Sequence, residues 1–481
     1  MTGMADAIFR EYDIRGTYGD DLTPEVAFLI GRSYALYLGR TPARGQGKGL
    51  RISVGRDVRL SSNALRDALI KGLTSGGVDC IDLGECPTPL LYFSMHTLPV
   101  DGGIMITGSH NPPEYNGFKV GAGKDTLYGE GIQELKRIML DEGKRPPVGV
   151  RPGIVEKFDV ISKYVDEIGE RFALPVLKRP LRIVVDCGNG TAGPVAMPLL
   201  RNLGCEISGL FTEPDGHFPN HHPDPTQPKN VRDLAAAVVR EGADFGIAYD
   251  GDADRIGVVD ESGRIIWGDK LMIIFSRAIL EKERGATIVG EVKCSQVMYD
   301  EIAKAGGRPV MWKTGHSLIK ARMKELKAAM AGEMSGHIFF ADRYFGFDDA
   351  IYASCRLVEI MAEKMAANPG FRFSALLEGI PETFSTPEIR IDCPDDVKFD
   401  AVERLDSVLG GGSGDFRIRD VVRIDGLRIN FEGGWALVRA SNTQPVLVLR
   451  FEATSEKLLE AAKEFIKEKL QKVLVGEALP F

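Results

Sequence analysis

No pair of cysteines in this chain stands at Cys-x-x-Cys spacing, no run is both long and apolar enough to span a bilayer, and positive charge is not in excess. Each lack closes a class of function. The seven cysteines, at 80, 86, 187, 205, 294, 355 and 393, sit mostly in apolar or strand-like contexts and read as reduced thiols, as in a cytoplasmic protein. Without a spanning segment, no membrane partner is expected. Lys and Arg number 60 against 68 Asp and Glu, a formal charge of −8 that argues against nucleic acid or an anionic surface. Asp6, Arg10 and Glu11 precede any long apolar run, so no signal peptide is expected. At 481 residues the chain has room for about three to four domains, each with its own core.

Four short polar segments stand out against this background. The first is Thr107-Gly108-Ser109-His110-Asn111-Pro112-Pro113, with Lys119 a few residues on. Thr107 and Ser109 can bond neighbouring backbone groups, and the prolines stop a helix, so a surface loop is expected that presents one hydroxyl beside an imidazole. Such a serine can carry a phosphoryl group, although an ordinary Ser/Asn/Pro turn reads the same in isolation. The second, Tyr249-Asp250-Gly251-Asp252-Ala253-Asp254-Arg255, alternates three carboxylates between two strand-like runs, Phe245 to Tyr249 and Ile256 to Val259. Three hard oxygen donors at the mouth of a sheet suit Mg²⁺, which leaves positions for phosphate oxygens and water. An EF-hand calcium loop is rejected, because Arg255 stands at the sixth position, where glycine is needed, and the flanks are not helical. A purely structural acidic turn would leave three carboxylates repelling one another.

The third segment is Gly332-Glu333-Met334-Ser335-Gly336-His337. Glu333, Ser335 and His337 alternate, so in an extended stretch they share a face that can bond sugar hydroxyls, with His337 able to shuttle a proton. A polar edge strand would look alike. The fourth, Arg439-Ala440-Ser441-Asn442-Thr443-Gln444-Pro445, offers a guanidinium fork, two hydroxyls and exposed amides in a turn between strands, a set suited to holding a phosphate. Its plain alternative is a hairpin loop.

A unit of strand, helix, glycine and strand recurs three times. Arg51 to Gly55 leads to a helix over about 62–73 and a strand over Val78 to Leu83. Leu181 to Asp186 leads to a helix over about 191–202 and then Glu206 to Phe211, and Thr287 to Val292 to a helix over about 296–305 and then Pro309 to Trp312. Such a repeat predicts three similar α/β domains. Lys144 to Gly153, rich in Pro, Gly and charge, is a natural first boundary. After about residue 387 the pattern changes to strands, an Asp425-Gly426 hairpin signal and a final amphipathic helix with Thr454 or Ser455 as its cap, which predicts a smaller α+β domain.

From Phe9-Arg10-Glu11-Tyr12-Asp13-Ile14-Arg15-Gly16 to the closing helix, the four segments in this order resemble the alpha-D-phosphohexomutase superfamily, in particular its bacterial phosphomannomutase/phosphoglucomutase branch. Glucosamine-phosphate members tend to show Ala-Ser-His-Asn in the serine loop and Gln where Met334 stands. Ala253 occupies a position where glycine is common. The resemblance implies an α/β fold: three similar mixed α/β domains plus a C-terminal α+β domain around a central active-site cleft, over residues 1–152, 153–262, 263–385 and 386–481. It implies an isomerase that moves a phosphoryl group reversibly between the 1- and 6-positions of mannose or glucose phosphate. The route runs through a phosphoserine and a hexose 1,6-bisphosphate, which also activates. Ser109 would carry the phosphoryl group, and Mg²⁺ would sit on Asp250, Asp252 and Asp254 with an oxygen of the phosphorylated Ser109. His110, Lys119, Arg255 and His337 would assist catalysis. Tyr12, Arg15, Lys293, His316, Glu333, Ser335, Arg439, Ser441, Asn442 and Thr443 would hold the substrate. A glucosamine-phosphate mutase on the same fold and a non-catalytic sugar-phosphate sensor are the alternatives.

One pattern points elsewhere. Gly188-Asn189-Gly190-Thr191-Ala192-Gly193 follows a strand, precedes a helix and has Glu213 about twenty residues on, the form of a dinucleotide-binding turn. Glycines there equally permit close helix–sheet packing, and the fuller constellation outweighs the motif.

Overall fold

The computed structural model describes residues 8–40, 49–141, 151–410, 412–413, 416–442 and 444–474. Thr443 and residues 144–150 of the expected first boundary lie outside the described residues. The chain forms two compact units, Met1–Ala278 with Ser335–Leu376, and Ile279–Met334 with Leu377–Phe481. The third expected domain, 263–385, is therefore shared between them.

The first unit contains two sheets. In the first, the strand order is Ile14–Thr17, Tyr115–Ala122, Gly102–Ile106, Arg51–Arg56, Asp79–Glu85, Val155–Lys157. The last four run parallel, and Tyr115–Ala122 is antiparallel to both of its neighbours. Alternation decides which face is buried. Ile52 and Val54, Ile104 and Ile106, and Phe118 and Val120 lie two apart and enter one core. The helices Pro24–Arg40, Ser62–Ser75 and Glu130–Asp141 meet them with Ile30, Tyr34 and Leu38, with Leu65, Leu69 and Leu73, and with Ile132, Leu135 and Met139. That is the three- and four-residue spacing of a helical stripe. Val155–Lys157 pairs with Asp79–Glu85, so this sheet continues past residue 152.

The second sheet has the order Ile265–Ile266, Ile256–Asp260, Phe245–Tyr249, Arg182–Asp186, Glu206–Leu210. Phe245–Tyr249 and Ile256–Asp260 pair antiparallel with Tyr249 opposite Ile256, so residues 250–255 form the loop that closes this hairpin. The sequence placed both strands there.

In the second unit, Arg308–Trp312, Thr287–Glu291 and Met330–Gly332 form a parallel set with the helices Gln296–Lys304 and His316–Leu326. An antiparallel sheet follows, in which Val446–Ala453 pairs with Gly434–Ala440 on one side and with Phe384–Ser385 and Ile389–Asp392 on the other. Leu427–Phe431 and Phe416–Val422 extend it, and the expected turn at Asp425-Gly426 joins those two strands. Ser455 caps the closing helix Glu456–Val473 by accepting the Leu458 N–H at 3.3 Å, and Leu459, Ala462, Ile466 and Leu470 are buried beneath it. All seven cysteines are buried and none forms a disulfide. Among the described residues, no helix is long and apolar enough to cross a membrane.

Candidate active site

The serine loop leaves the strand Gly102–Ile106 and returns as Tyr115–Ala122. Ser109 sits in it with φ +48, the left-handed region that a residue with a Cβ enters at a cost of about 1–2 kcal/mol. The Ser109 N–H donates to Thr107 Oγ1 at 2.8 Å, which is the local bond the sequence suggested. Its Oγ donates to Asp250 Oδ2 at 3.0 Å and lies 3.1 Å from His110 Nδ1. The expected surface position is not what forms: Ser109 is only 2% exposed, because the loop folds back onto the aspartates. Burial, with the Arg255 and Arg15 cations nearby, lowers the His110 pKa well below its usual value and keeps the imidazole neutral.

Asp250, Asp252 and Asp254 are buried and offer oxygens within 4.8 Å of one another. Asp252 Oδ2 accepts from Thr88 Oγ1 at 2.6 Å, Thr107 Oγ1 at 3.1 Å and Lys119 Nζ at 2.9 Å, whereas its Oδ1, though buried, has no hydrogen-bond partner among the described residues. Lys119 lies on a buried strand rather than in the loop, and it also pairs with Asp254 Oδ2. Burial raises the Asp250 pKa, and the charges of Asp254 and Asp252 push it further, well above the usual carboxylate range. Burial acts on Asp254 in the same sense, but Lys119, His337 and Arg255 outweigh it and hold that carboxyl well below its usual value. Such hard, crowded oxygen donors fit a divalent cation such as Mg²⁺. Ala253 takes φ +56, which explains why a glycine suits this position.

Two glycines seat this loop. A Cβ at Gly190 would lie 2.6 Å from the Gly251 carbonyl oxygen, and a Cβ at Gly251 would lie 2.6 Å from that of Ser109. Three backbone segments thus stack in direct contact, and the Thr191 N–H donates to Gly251 O at 3.0 Å. Within the Gly188 to Gly193 motif, Gly190 thus packs against the acidic loop, while Gly188 meets Pro223 and Gly193 the Thr212 carbonyl, so each glycine serves close backbone packing.

The Glu333, Ser335, His337 alternation does not give a common face. Met334 and Ser335 form a turn, and Gly336 takes φ +90. In the first unit, His337 Nε2 lies 3.1 Å from Asp254 Oδ1 and 3.2 Å from Arg255 Nε, and Ser335 Oγ lies 3.5 Å from His337 Nδ1. Nε2 serves one partner at a time: it accepts from Arg255 when unprotonated and donates to Asp254 when protonated. Tyr12 is buried, and Arg15, on the strand beside Tyr115–Ala122, donates from Nε to Asp13 at 2.7 Å.

The second unit gathers the other expected residues. Glu333 accepts the Gly315 N–H at 2.7 Å, and His316 opens the helix that follows. Buried Lys293 lies 3.6 Å from Glu291 and 3.5 Å from Glu388. Asp425 accepts from Arg439 Nε and from the Thr314 N–H, both at 3.0 Å. Ser441 is buried and its Oγ accepts the Gln444 N–H at 3.2 Å, while Asn442 is half-buried.

Several participants escaped the sequence reading: Asp57, Arg59 and Thr88 around the serine and acidic loops, and Glu291 and Asp425 around Lys293 and Arg439. A sequence signal existed for the first pair, since Asp57 and Arg59 stand just past the end of the parallel strand Arg51–Arg56, where open α/β sheets place functional groups.

The chain matches four models of phosphoglucomutase/phosphomannomutase: alpha/beta/alpha domain I over residues 6–145, domain II over 162–263, domain III over 267–383 and the C-terminal domain over 388–469. It is 45% identical over 475 residues to a phosphomannomutase/phosphoglucomutase of Pseudomonas aeruginosa, covering 99% of this chain and 98% of that one. It is 42% identical over 470 residues to a phosphoglucomutase of Neisseria gonorrhoeae, covering 97% of each. The crystal structure of a phosphoglucomutase/phosphomannomutase family protein from Burkholderia thailandensis superposes with a TM-score of 0.88 at 42% identity over 99% of both chains.

Proposed function

The chain belongs to the phosphoglucomutase/phosphomannomutase family, and on that premise we propose that it is a phosphohexomutase, an isomerase that moves a phosphoryl group reversibly between the 1- and 6-positions of glucose or mannose phosphate. One observation supports this above the others: the hydroxyl of Ser109, in a left-handed loop, donates to the first of three clustered, buried aspartates.

A phosphoryl group on Ser109 Oγ passes to the free hydroxyl of a hexose phosphate. The Oγ–P bond breaks, a sugar O–P bond forms, and the hydroxyl proton goes to a protein base. The resulting 1,6-bisphosphate reverses its orientation and returns its other phosphoryl group to Ser109. Such transfer depends on positioning and charge stabilisation more than on covalent chemistry by the protein. Asp250, Asp252 and Asp254 would hold Mg²⁺, and the partnerless Asp252 Oδ1 supports that assignment. When bound, the ion neutralises phosphate charge. Neutral His110 steadies Ser109 Oγ from Nδ1, and Lys119 and Arg255 supply positive charge. Burial works against the Lys119 ammonium, but Asp252 and Asp254 outweigh it and raise its pKa well above the usual value. His337, 3.1 Å from Asp254 Oδ1, is the candidate to take the sugar proton, with Lys119 as its competitor. Arg439, Ser441, Asn442 and Thr443 hold the non-reacting phosphate. Lys293, His316, Glu333 and Ser335 grip sugar hydroxyls, and Tyr12 and Arg15 act beside the serine loop. A division into four domains, with the first boundary moved from 152 to beyond Val155–Lys157 and the later limits kept at 262 and 385, belongs to the same proposal, as does a cytoplasmic setting.

A coupled assay with Mg²⁺ tests it, with glucose 1-phosphate, mannose 1-phosphate and glucosamine 1-phosphate, each primed with a trace of its 1,6-bisphosphate. Turnover of the first two is expected. Turnover of the third alone would refute the substrate assignment, and silence on all three would refute the enzyme and favour a sugar-phosphate sensor.

A further inference from the structure

Arg59 is 1% exposed, and its guanidinium is spent almost entirely on the backbone of the serine loop. Nη2 donates to the carbonyls of Ser109 at 2.8 Å and Asn111 at 2.5 Å, and Nη1 to those of Tyr115 at 2.9 Å and Pro112. Nε donates to Asp57 Oδ2 at 3.2 Å. The same carboxylate accepts the Gly108 N–H at 3.0 Å, while its Oδ1 accepts from Ser62 Oγ at 2.5 Å and from the Arg59 N–H at 3.1 Å. Four carbonyls of an irregular loop thus converge on one cation that a carboxylate holds from behind. Without such a donor the buried Ser109 carbonyl would carry a desolvation penalty, and the three part-buried ones would lose a charged partner. The loop has local bonds of its own, from the Ser109 N–H to Thr107 Oγ1 at 2.8 Å and from the Asn111 N–H to Gly108 O at 2.9 Å, and Arg59 adds to them the tie that joins its two limbs.

We propose that Arg59, oriented by Asp57, is the positioning residue that sets the Ser109 backbone for phosphoryl transfer. The proposal rests on the mutase reading for its catalytic consequence and on the geometry alone for its structural one. A lysine at this place keeps the charge but presents a point donor instead of a planar fork, and cannot reach four separated carbonyls.

The test uses Arg59→Lys in the full chain. The expected result is a fall in kcat of about 30- to 100-fold, as for a reacting group misplaced by about an ångström, with KM changed less than about twofold. By hydrogen exchange, the amides of 107–116 should exchange about tenfold faster, while the strands Gly102–Ile106 and Phe245–Tyr249 keep their protection. Should that variant fail to fold, Gly108→Ala serves instead: it leaves the arginine in place but sets a methyl 2.5 Å from its Cζ, and the same pattern is expected. Wild-type kcat together with unaltered exchange in whichever variant folds would overturn the proposal. If the unmodified protein shows no mutase turnover, the functional reading fails separately, and the exchange measurement alone decides whether Arg59 holds the loop.

Discussion

Gly251→Ala puts the stacking of the serine and acidic loops to a quantitative test. The added Cβ would lie 2.6 Å from Ser109 O and 3.4 Å from Pro223 Cγ, so it meets the proline comfortably and the serine carbonyl far too closely. Ordinary contact begins near 3.4 Å, which leaves about 0.8 Å to be found by movement. Neither side yields freely. The Ser109 carbonyl is held by Arg59 at 2.8 Å, and the Gly251 carbonyl by the Thr191 N–H at 3.0 Å. Overpacking of this kind lowers stability by about 1–3 kcal/mol. A shift of about 0.8 Å in the segment bearing the phosphoryl group should lower kcat by about 30- to 100-fold, or about 2–3 kcal/mol of barrier. None of the residues proposed to hold the sugar or the second phosphate takes part in this contact, so KM should stay within about twofold. The coupled mutase assay at saturating bisphosphate, with a thermal melt of the same sample, measures both. A Gly251→Ala protein with wild-type kcat would refute the claim that this contact positions Ser109.

Other perturbations have separate signatures. Ser109→Ala should lose on the order of 10⁴-fold or more in turnover while still binding hexose phosphate by calorimetry, and appreciable residual activity would sink the phosphoserine assignment. Arg439→Ala should raise KM about tenfold to a hundredfold through the loss of charge-assisted hydrogen bonds worth about 1.5–3 kcal/mol, with kcat much less affected, and an unchanged KM would contradict the phosphate clamp. Chelation of divalent cations should abolish turnover and re-addition of Mg²⁺ should restore it; activity that survives exhaustive chelation would remove the metal from the account.

What could be read from the sequence was what lies close together along it. Ser109 and the Asp250, Asp252, Asp254 series stand in short polar segments between apolar runs, so their flanking strands and the clustering of the three carboxylates were legible. The three strand–helix–strand units were legible too, because periods of two and 3.6 switch at glycines. For Arg59 only its place past a strand end was legible, not its role, since its partners are carbonyls fifty and more positions away. The Glu333, Ser335, His337 alternation failed for a local reason: Gly336 at φ +90 breaks the extended path that alternation assumes. The Gly188 to Gly193 motif misleads for a tertiary one, because its glycines approach other segments of the same chain, at Pro223, Gly251 and Thr212.

Burial also sets the chemistry of the thiols. It pushes Cys80, Cys86 and Cys205 up to about 12, so almost no thiolate forms in the folded protein near neutral pH. An alkylating reagent then labels only molecules that have opened locally. The positions are informative: Cys80 lies in the first sheet and Cys86 just past its strand Asp79–Glu85, Cys187 and Cys205 flank strands of the second, Cys294 follows Thr287–Glu291, Cys355 lies in the helix Ala350–Ala367, and Cys393 follows Ile389–Asp392. Each modified peptide therefore names the layer that breathed, and the native chain already holds a set of clocks for its own opening without a single engineered probe.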